Sequence, residues 1–342
     1  YPKLILTNFT GGVNPSFSVA NDDPCAENVF AHVQLYGIGQ KIETQVWIDN
    51  LDGSPTGTSQ FKSEYQWQHF GIPVKGPYFV SPTFKGAAIR EYFEGKNKQS
   101  SFYGKWQNLT VDDVTLPFKG YALTQASPNV YDFVGYLNLC DTTLTMTRNA
   151  PLVQGATGDN AHYGLGQNIF ANSFTAAVKV ANIDFPVEVE PCVYLYNTGS
   201  FSQWGSQTNT NNSNDQTEDA APGSYLALPK NATTYMDERY RQIPSMQGFL
   251  LRFTKAETVF GRPAVNVPFP YRTKVEENKV AQRSREKASN SLNDGALKLH
   301  LSGNGTTDMM WLIEHPETDD TYNNGWDGMQ SITSTDSGVF FS

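Results

Sequence analysis

Along most of the chain apolar residues recur at every second position in short runs, and each run is cut off by Gly, Pro, Asn or Asp. Val29 to Tyr36, Lys41 to Ile48, Ala88 to Phe93, Tyr131 to Leu139, Leu144 to Thr147, Val187 to Tyr196 and Ala296 to Leu301 alternate in this way or form short apolar blocks. That period is the pleat of a strand with one face buried. Helical spacing is confined to Asn172 to Ala181, read as one or two helical turns, and to Val275 to Ser289, where Lys279, Arg283, Arg285 and Lys287 alternate with acidic and polar residues as on a solvated helix or linker. The pattern predicts an all-β fold built of antiparallel β-sandwich, jelly-roll-like units.

The strand and turn signals occur twice. Trp67 to Val74, Arg90 to Phe93, Trp106 and Pro117 to Leu123 follow one another in the first half; Tyr163 to Phe170, Val193 to Tyr196, Trp204 and Pro244 to Leu250 follow in the same order in the second. The Gly120-Tyr121 and Gly248-Phe249 pairs, each shortly after a proline, suit a turn that feeds an aromatic residue into a strand. The repetition predicts two duplicated halves, a first unit over 1–150 and a second over 151–342. Within the second, Ser202 to Ala221 is rich in Asn, Thr, Gln and Ser and reads as a long exposed loop. Residues 272–289 read as a charged linker, preceded by Pro263, Pro268 and Pro270.

At 342 residues the chain has enough apolar material for a sizeable core. Aromatics make up 13% and charged residues only 17%, a mixture typical of secreted β proteins in which Asn, Thr, Ser and Gly cover the surface. A net charge of −9 gives no electrostatic basis for binding nucleic acid. No run approaches the roughly 18 apolar residues that span a bilayer, and Tyr1 to Leu6 is too short for a signal peptide. The abrupt start and the strand-like finish, Gly338 to Ser342, lead us to expect a parent protein extending past both ends.

Candidate chemistry is sparse. The three cysteines, Cys25, Cys140 and Cys192, match no zinc or redox spacing; a bridge between the halves, Cys140 to Cys192, and buried free thiols are both compatible with their positions. No nucleophile elbow, phosphate loop or His-Glu-x-x-His motif occurs, and the five histidines are scattered. Asp159 with His162 is the best acid/base pair, without a nucleophile beside it. Two carboxylates at glycosidase separation leave no trace in a sequence, so a hydrolase stays open. Trp106 and Trp204 are candidate glycan-stacking platforms, against the alternative of core or rim aromatics. Asp319, Asp320 and Asp327 offer the hard oxygen ligands of calcium but lack EF-hand spacing, and a structural turn is the competing reading. No other cofactor is expected. Asn8, Asn108, Asn211, Asn231 and Asn304 begin Asn-x-Ser/Thr sequons.

Several blocks together resemble a known family. Trp67 to Val74, Pro117 to Leu123, Val130 to Asn138, Gly164 to Phe174, Ile243 to Phe253 and Asn323 to Gly328 resemble the β-rich repeat region of large Bacteroidetes proteins that leave the cell by the type IX secretion route and become surface adhesins or surface-anchored proteins. Phe170 to Phe174 departs from the family's usual Gly- and Pro-rich wording, and the Gly- and Lys-rich sorting domain of such proteins does not occur in this sequence. The resemblance implies that the Asp-containing end is a recurring structural turn. It also marks Thr142, in Asp141-Thr142-Thr143, as similar to an O-glycosylation site of these proteins. It implies a non-enzymatic extracellular protein, an adhesin or structural component of the cell surface, whose partners are other surface proteins or glycans. The alternatives are a glycan-binding or glycan-hydrolysing module, and a subunit of a filament or surface complex that self-associates through terminal strands, Leu4 to Leu6 and Val339 to Phe341.

Overall fold

The computed structural model describes residues 6–7, 30–38, 42–48, 58–66, 68–84, 87–96, 103–125, 129–148, 166–197, 200–201, 224–236, 241–254, 264–271, 296–303, 306–318, 324–328 and 331–332. These residues form antiparallel sheets, with a single helical turn at Val80–Thr83 and two 3-10 turns at Val180–Asn182 and Ala232–Thr234. The fold is all-β, as the alternating pattern predicts.

Two inner sheets organise the molecule, and their strands are labelled in chain order. The first consists of β1 (Gln68–Phe70), β2 (Ala87–Lys96), β3 (Tyr103–Asn108) and β4 (Tyr121–Gln125), in the spatial order β1-β4-β2-β3. The second consists of β5 (Gln167–Ala171), β6 (Cys192–Asn197), β7 (Ser224–Pro229) and β8 (Gly248–Arg252), in the order β5-β8-β6-β7, with Ser331–Ile332 added beyond β7. In each half the fourth strand lies between the first and second, so the two sheets share one topology. Register makes the match residue by residue: Tyr121 faces Phe70 and Glu91, and Phe249 faces Phe170 and Leu195. Thus Phe70 corresponds to Phe170, Tyr92 to Tyr196 and Tyr121 to Phe249.

β4, β6 and β8 are buried on both faces over 121–123, 192–194 and 248–251, and there the sequence is continuously apolar instead of alternating. On the outer side of the first sheet, Phe70, Ile72, Ile89, Tyr121 and Leu123 pack against Val33, Leu35, Tyr131 and Phe133 of a sheet formed by Leu6–Thr7, Phe30–Ile38 and Asn129–Tyr136. On the outer side of the second, Val193, Leu228, Phe249 and Leu251 pack against Leu144, Met146, Val267 and Phe269. The strand Thr142–Thr147, which precedes the expected division at residue 150, pairs with Ala264–Phe269 and belongs to this second core. Between the inner sheets a third cluster joins Tyr92 and Trp106 to Ile169, Cys192, Tyr194, Tyr225 and Leu250.

The halves interlock reciprocally. Lys119, just before β4, bridges to Phe170 of the other sheet, and Gln247, just before β8, bridges to Phe70. Ala171 N donates to Phe118 O at 3.1 Å, and Gly71 N donates to Met246 O at 3.1 Å. Phe118 and Met246 both adopt left-handed backbone, with φ of 62° and 61°. Each sends its side chain into the opposite half's core: Phe118 packs edge-on against Phe174 at 4.9 Å, and Met246 is buried in the first core. A left-handed non-glycine residue is costly and persists only where its surroundings hold it. Here the same kink occurs twice, and both times it carries the chain across the junction.

Two expectations are corrected. Residues 172–181 hold no α-helical turn: they form a turn anchored by Asn172 and a two-residue strand at Val178–Lys179, and only Val180 and Ala181 enter a helical turn, the 3-10 turn. The buried Asn172 side chain donates to Ala176 O, Ile243 O and Pro244 O and accepts from Phe174 N, which closes the turn without a helix. The Cys140–Cys192 bridge does not form either, because Cys140 is disulfide-bonded while Cys192 is a free thiol buried between the inner sheets. Residues 202–221, 272–289, 159–162 and 339–341 lie outside the described residues.

Candidate functional site

The layer between the inner sheets holds the buried His69, Glu94 and Glu190, because residues on the facing sides of both sheets meet there. β1 contributes His69, which is 5% exposed and stacks on Tyr196 with centroids 4.3 Å apart and planes at 12°. Trp106 lies 5.0 Å from the same imidazole and Tyr225 5.9 Å. Tyr92 meets Trp106 edge-on at 5.4 Å, and Tyr196 meets Tyr225 at 5.2 Å. Cross-strand register explains these pairs: Tyr92 is opposite Trp106 in the first sheet, and Tyr196 is opposite Tyr225 in the second. Three of these rings, Trp106, Tyr196 and Tyr225, therefore meet one histidine, and Tyr92 backs Trp106. Trp106, Tyr92, Tyr196 and Tyr225 are all half-buried, so they form the rim of the junction.

Burial pulls the His69 imidazole down to about 3, so the ring is neutral. Its Nδ1 is buried without a hydrogen-bond partner. Gln247 Nε2 approaches the backbone oxygen of His69 at 3.4 Å, part of the crossing of the two halves.

Deeper in the layer lie two buried carboxylates. Glu94 accepts from Gly166 N at 3.1 Å and Thr147 Oγ1 at 3.0 Å, while Glu190 accepts from Tyr194 OH at 2.6 Å and pairs with Arg252 at 3.2 Å. Arg148 donates to Phe253 O at 2.6 Å; burial lowers its guanidinium, and Glu94 opposes that shift. Burial, reinforced by the Glu190 charge, pushes the Cys192 thiol well up. Each carboxylate is held by fixed donors. Their donors make them part of a buried polar network.

Among the residues singled out in the sequence, Trp106 lies at this rim, and Trp204 lies outside the described residues. Trp106 is matched in the second sheet by Tyr225, on the far side of the polar 202–221 segment. Thr142 opens its strand opposite Phe269 and is half-buried, beside Asp141, which accepts from Tyr271 N at 2.7 Å. Asp319 and Asp320 lie outside the described residues. Asp327 is exposed, in a turn where Trp326 N donates to Asn324 Oδ1 and Asn231 holds both Gly325 O and Asn324 O. Among the described residues no three His, Cys, Asp or Glu side chains converge as a metal site. Leu6 and Thr7 pair with Val33 and His32 at the edge of the outer sheet. Among the described residues no helix is long and apolar enough to cross a membrane.

His69 gave no sequence signal beyond being one of five scattered histidines. Tyr92, Tyr196 and Tyr225 were equally silent, because their convergence depends on register between strands more than a hundred residues apart.

The fold and its junction define an antiparallel all-β protein whose two inner sheets share one strand order and meet at an aromatic layer. Over 270 residues it is 31% identical to the minor fimbrium subunit Mfa5 of Porphyromonas gingivalis, covering 77% of this chain and 20% of that protein. The two are homologous over that stretch, and the chain spans about a fifth of the relative's length. No protein-family profile matches, and no solved structure matches.

Proposed function

We propose that the chain is part of a protein displayed outside a Bacteroidetes cell, as a structural component of a surface filament or surface complex. The similarity to a fimbrium subunit over 77% of the chain carries this reading. The duplicated β body supports it physically, since load passing along the chain would cross backbone hydrogen bonds and two interlocked turns. Adhesion and export by the type IX route are the narrower form of the proposal, on the family resemblance. Self-association through the N-terminal strand would replace the in-chain Leu6–Thr7 edge strand with that of a neighbour.

Antibody raised to the chain, applied to intact cells and to filaments sheared from them, tests the reading. Immunogold label on the filaments and recovery of the protein in the sheared fraction are expected; label confined to the cytoplasm overturns it. Loss of surface label in a strain lacking the type IX system checks the route.

A further inference from the structure

The cysteines carry an inference about how this chain holds tension. We infer that Cys25 and Cys140 form a disulfide that closes a loop around the first half, so that a pull along the chain passes from one sulfur to the other and bypasses residues 26–139. Of the three cysteines, Cys192 is a free buried thiol and Cys140 is disulfide-bonded, which leaves Cys25 as its partner. Cys25 itself lies outside the described residues, and strand register points to the same pair independently of the count. Phe30–Ile38 and Asn129–Tyr136 run antiparallel with Phe30 opposite Tyr136, so the chain enters the first strand and leaves the second at one end of their ladder. Cys25 is five residues before Phe30 and Cys140 four after Tyr136. Over so few residues the two segments stay close enough for the Cα separation of about 5–6 Å that a bridge requires.

The loop so closed holds the first half. The whole first inner sheet lies between the two cysteines, together with Phe30–Ile38 and Asn129–Tyr136 of the outer sheet that covers it. The strand Thr142–Thr147 of the second core begins two residues after Cys140 and pairs with Ala264–Phe269. Tension from the N-terminal side therefore goes through a covalent bond straight into the second core. Leu6–Thr7, which pairs with Val33 and His32 from outside the loop, is the strand that such a pull detaches first. A covalent bond outlasts the hydrogen-bonded ladders that it bypasses, and a disulfide is the chemistry of an oxidising compartment outside the cytoplasm. The usefulness of the bypass under tension rests on the surface-filament reading; the bridge itself does not.

Single-molecule pulling on the full chain, held at its two ends, with and without dithiothreitol, tests the proposal. Dithiothreitol takes the bridge to two thiols and is itself oxidised to its cyclic disulfide, which releases roughly 110 residues, or about 40 nm at about 3.6 Å per residue. The fully extended oxidised chain is expected to be shorter than the reduced one by that length. Cys25→Ser combined with Cys140→Ser should match the reduced chain without any reductant. Peptide mapping of the unreduced protein should recover one cross-linked species that holds Cys25 and Cys140. Equal extension of the oxidised and reduced chains, or alkylation of Cys25 in denatured, unreduced protein, overturns the proposal. Should the double variant not fold, the two measurements on the native sequence decide. A missing bridge leaves the surface reading intact, because that reading rests on the homology, and absence of label on filaments leaves the bridge intact.

Discussion

Gly71 and Ala171 occupy equivalent places in the two inner sheets and face each other where the halves cross: a Cβ added to Gly71 would lie 2.1 Å from the Cβ of Ala171. The next contacts of that Cβ are Ala171 Cα and Ser173 Oγ, each at 3.5 Å, so the clash is with a short side chain fixed to its backbone. Gly71→Ala is expected to cost about 1–3 kcal/mol by overpacking. Denaturant unfolding measures it, and Ala171→Gly in the same background should recover part of the loss.

His69 makes stability depend on acidity. The folded protein holds the imidazole neutral down to about pH 3, whereas the unfolded chain takes up a proton near 6.5. The His69 contribution is therefore complete above 6.5 and is lost as pH falls from 6.5 towards 3, by about 1.4 kcal/mol per pH unit. Unfolding free energies at several pH values in this window, compared with those of His69→Phe, isolate the effect; parallel curves would show that the ring is solvated.

Asn172 closes its turn with four hydrogen bonds while fully buried. Asn172→Ala leaves the carbonyls of Ile243 and Pro244 and the amide of Phe174 without this partner, at an expected cost of about 3 kcal/mol or more. Because Met246 N donates to Asn172 O and Asn172 N to Gln247 O, amide exchange should quicken at Met246 and at position 172 itself in this variant. Unchanged protection there would contradict the coupling.

Glu190 is fully buried and Arg252, its partner, is mostly so. Glu190→Gln keeps an acceptor for Tyr194 but strips Arg252 of its counter-charge, and about 2–4 kcal/mol of stability should go with it. Thermal melts of Glu190→Gln and of Glu190→Gln with Arg252→Met separate the lost pairing from the stranded cation, since the double variant should recover stability.

Cys192 should resist alkylation in the native protein, because burial raises its thiol and the inner sheets enclose it. Mass spectrometry after iodoacetamide is expected to find it unlabelled until denaturant is added, and Cys140 unlabelled until reductant is added as well. Labelling of Cys192 in native buffer would mean that the inner layer opens readily.

Much of the architecture is legible in the chain. Period-two alternation announces the strands, and the repeated Pro-to-Gly-aromatic turn announces the two central strands that occupy like places in their sheets, because both are local patterns set by the pleat and by turn geometry. Alignment of the halves by motif stops short where pairing decides: Trp106 has Tyr225 and not Trp204 as its counterpart, since the equivalence is fixed by the residue each faces across the ladder. Asn172 to Ala181 misleads because its side-chain-closed turn has helix-like spacing without helical hydrogen bonds. The convergence of Trp106, Tyr196 and Tyr225 on His69 is invisible in sequence for the same reason as the cysteine pairing: both are set by packing between distant segments.

The mutual exchange of Phe118 and Met246 has a bearing on assembly in time. A growing or emerging polypeptide that has reached only residue 150 holds β1 with nothing to cap Gly71, and holds Phe118 with no cavity to enter. The first half must wait, incomplete, until its twin arrives, so maturation is set by the last piece delivered and not by the first.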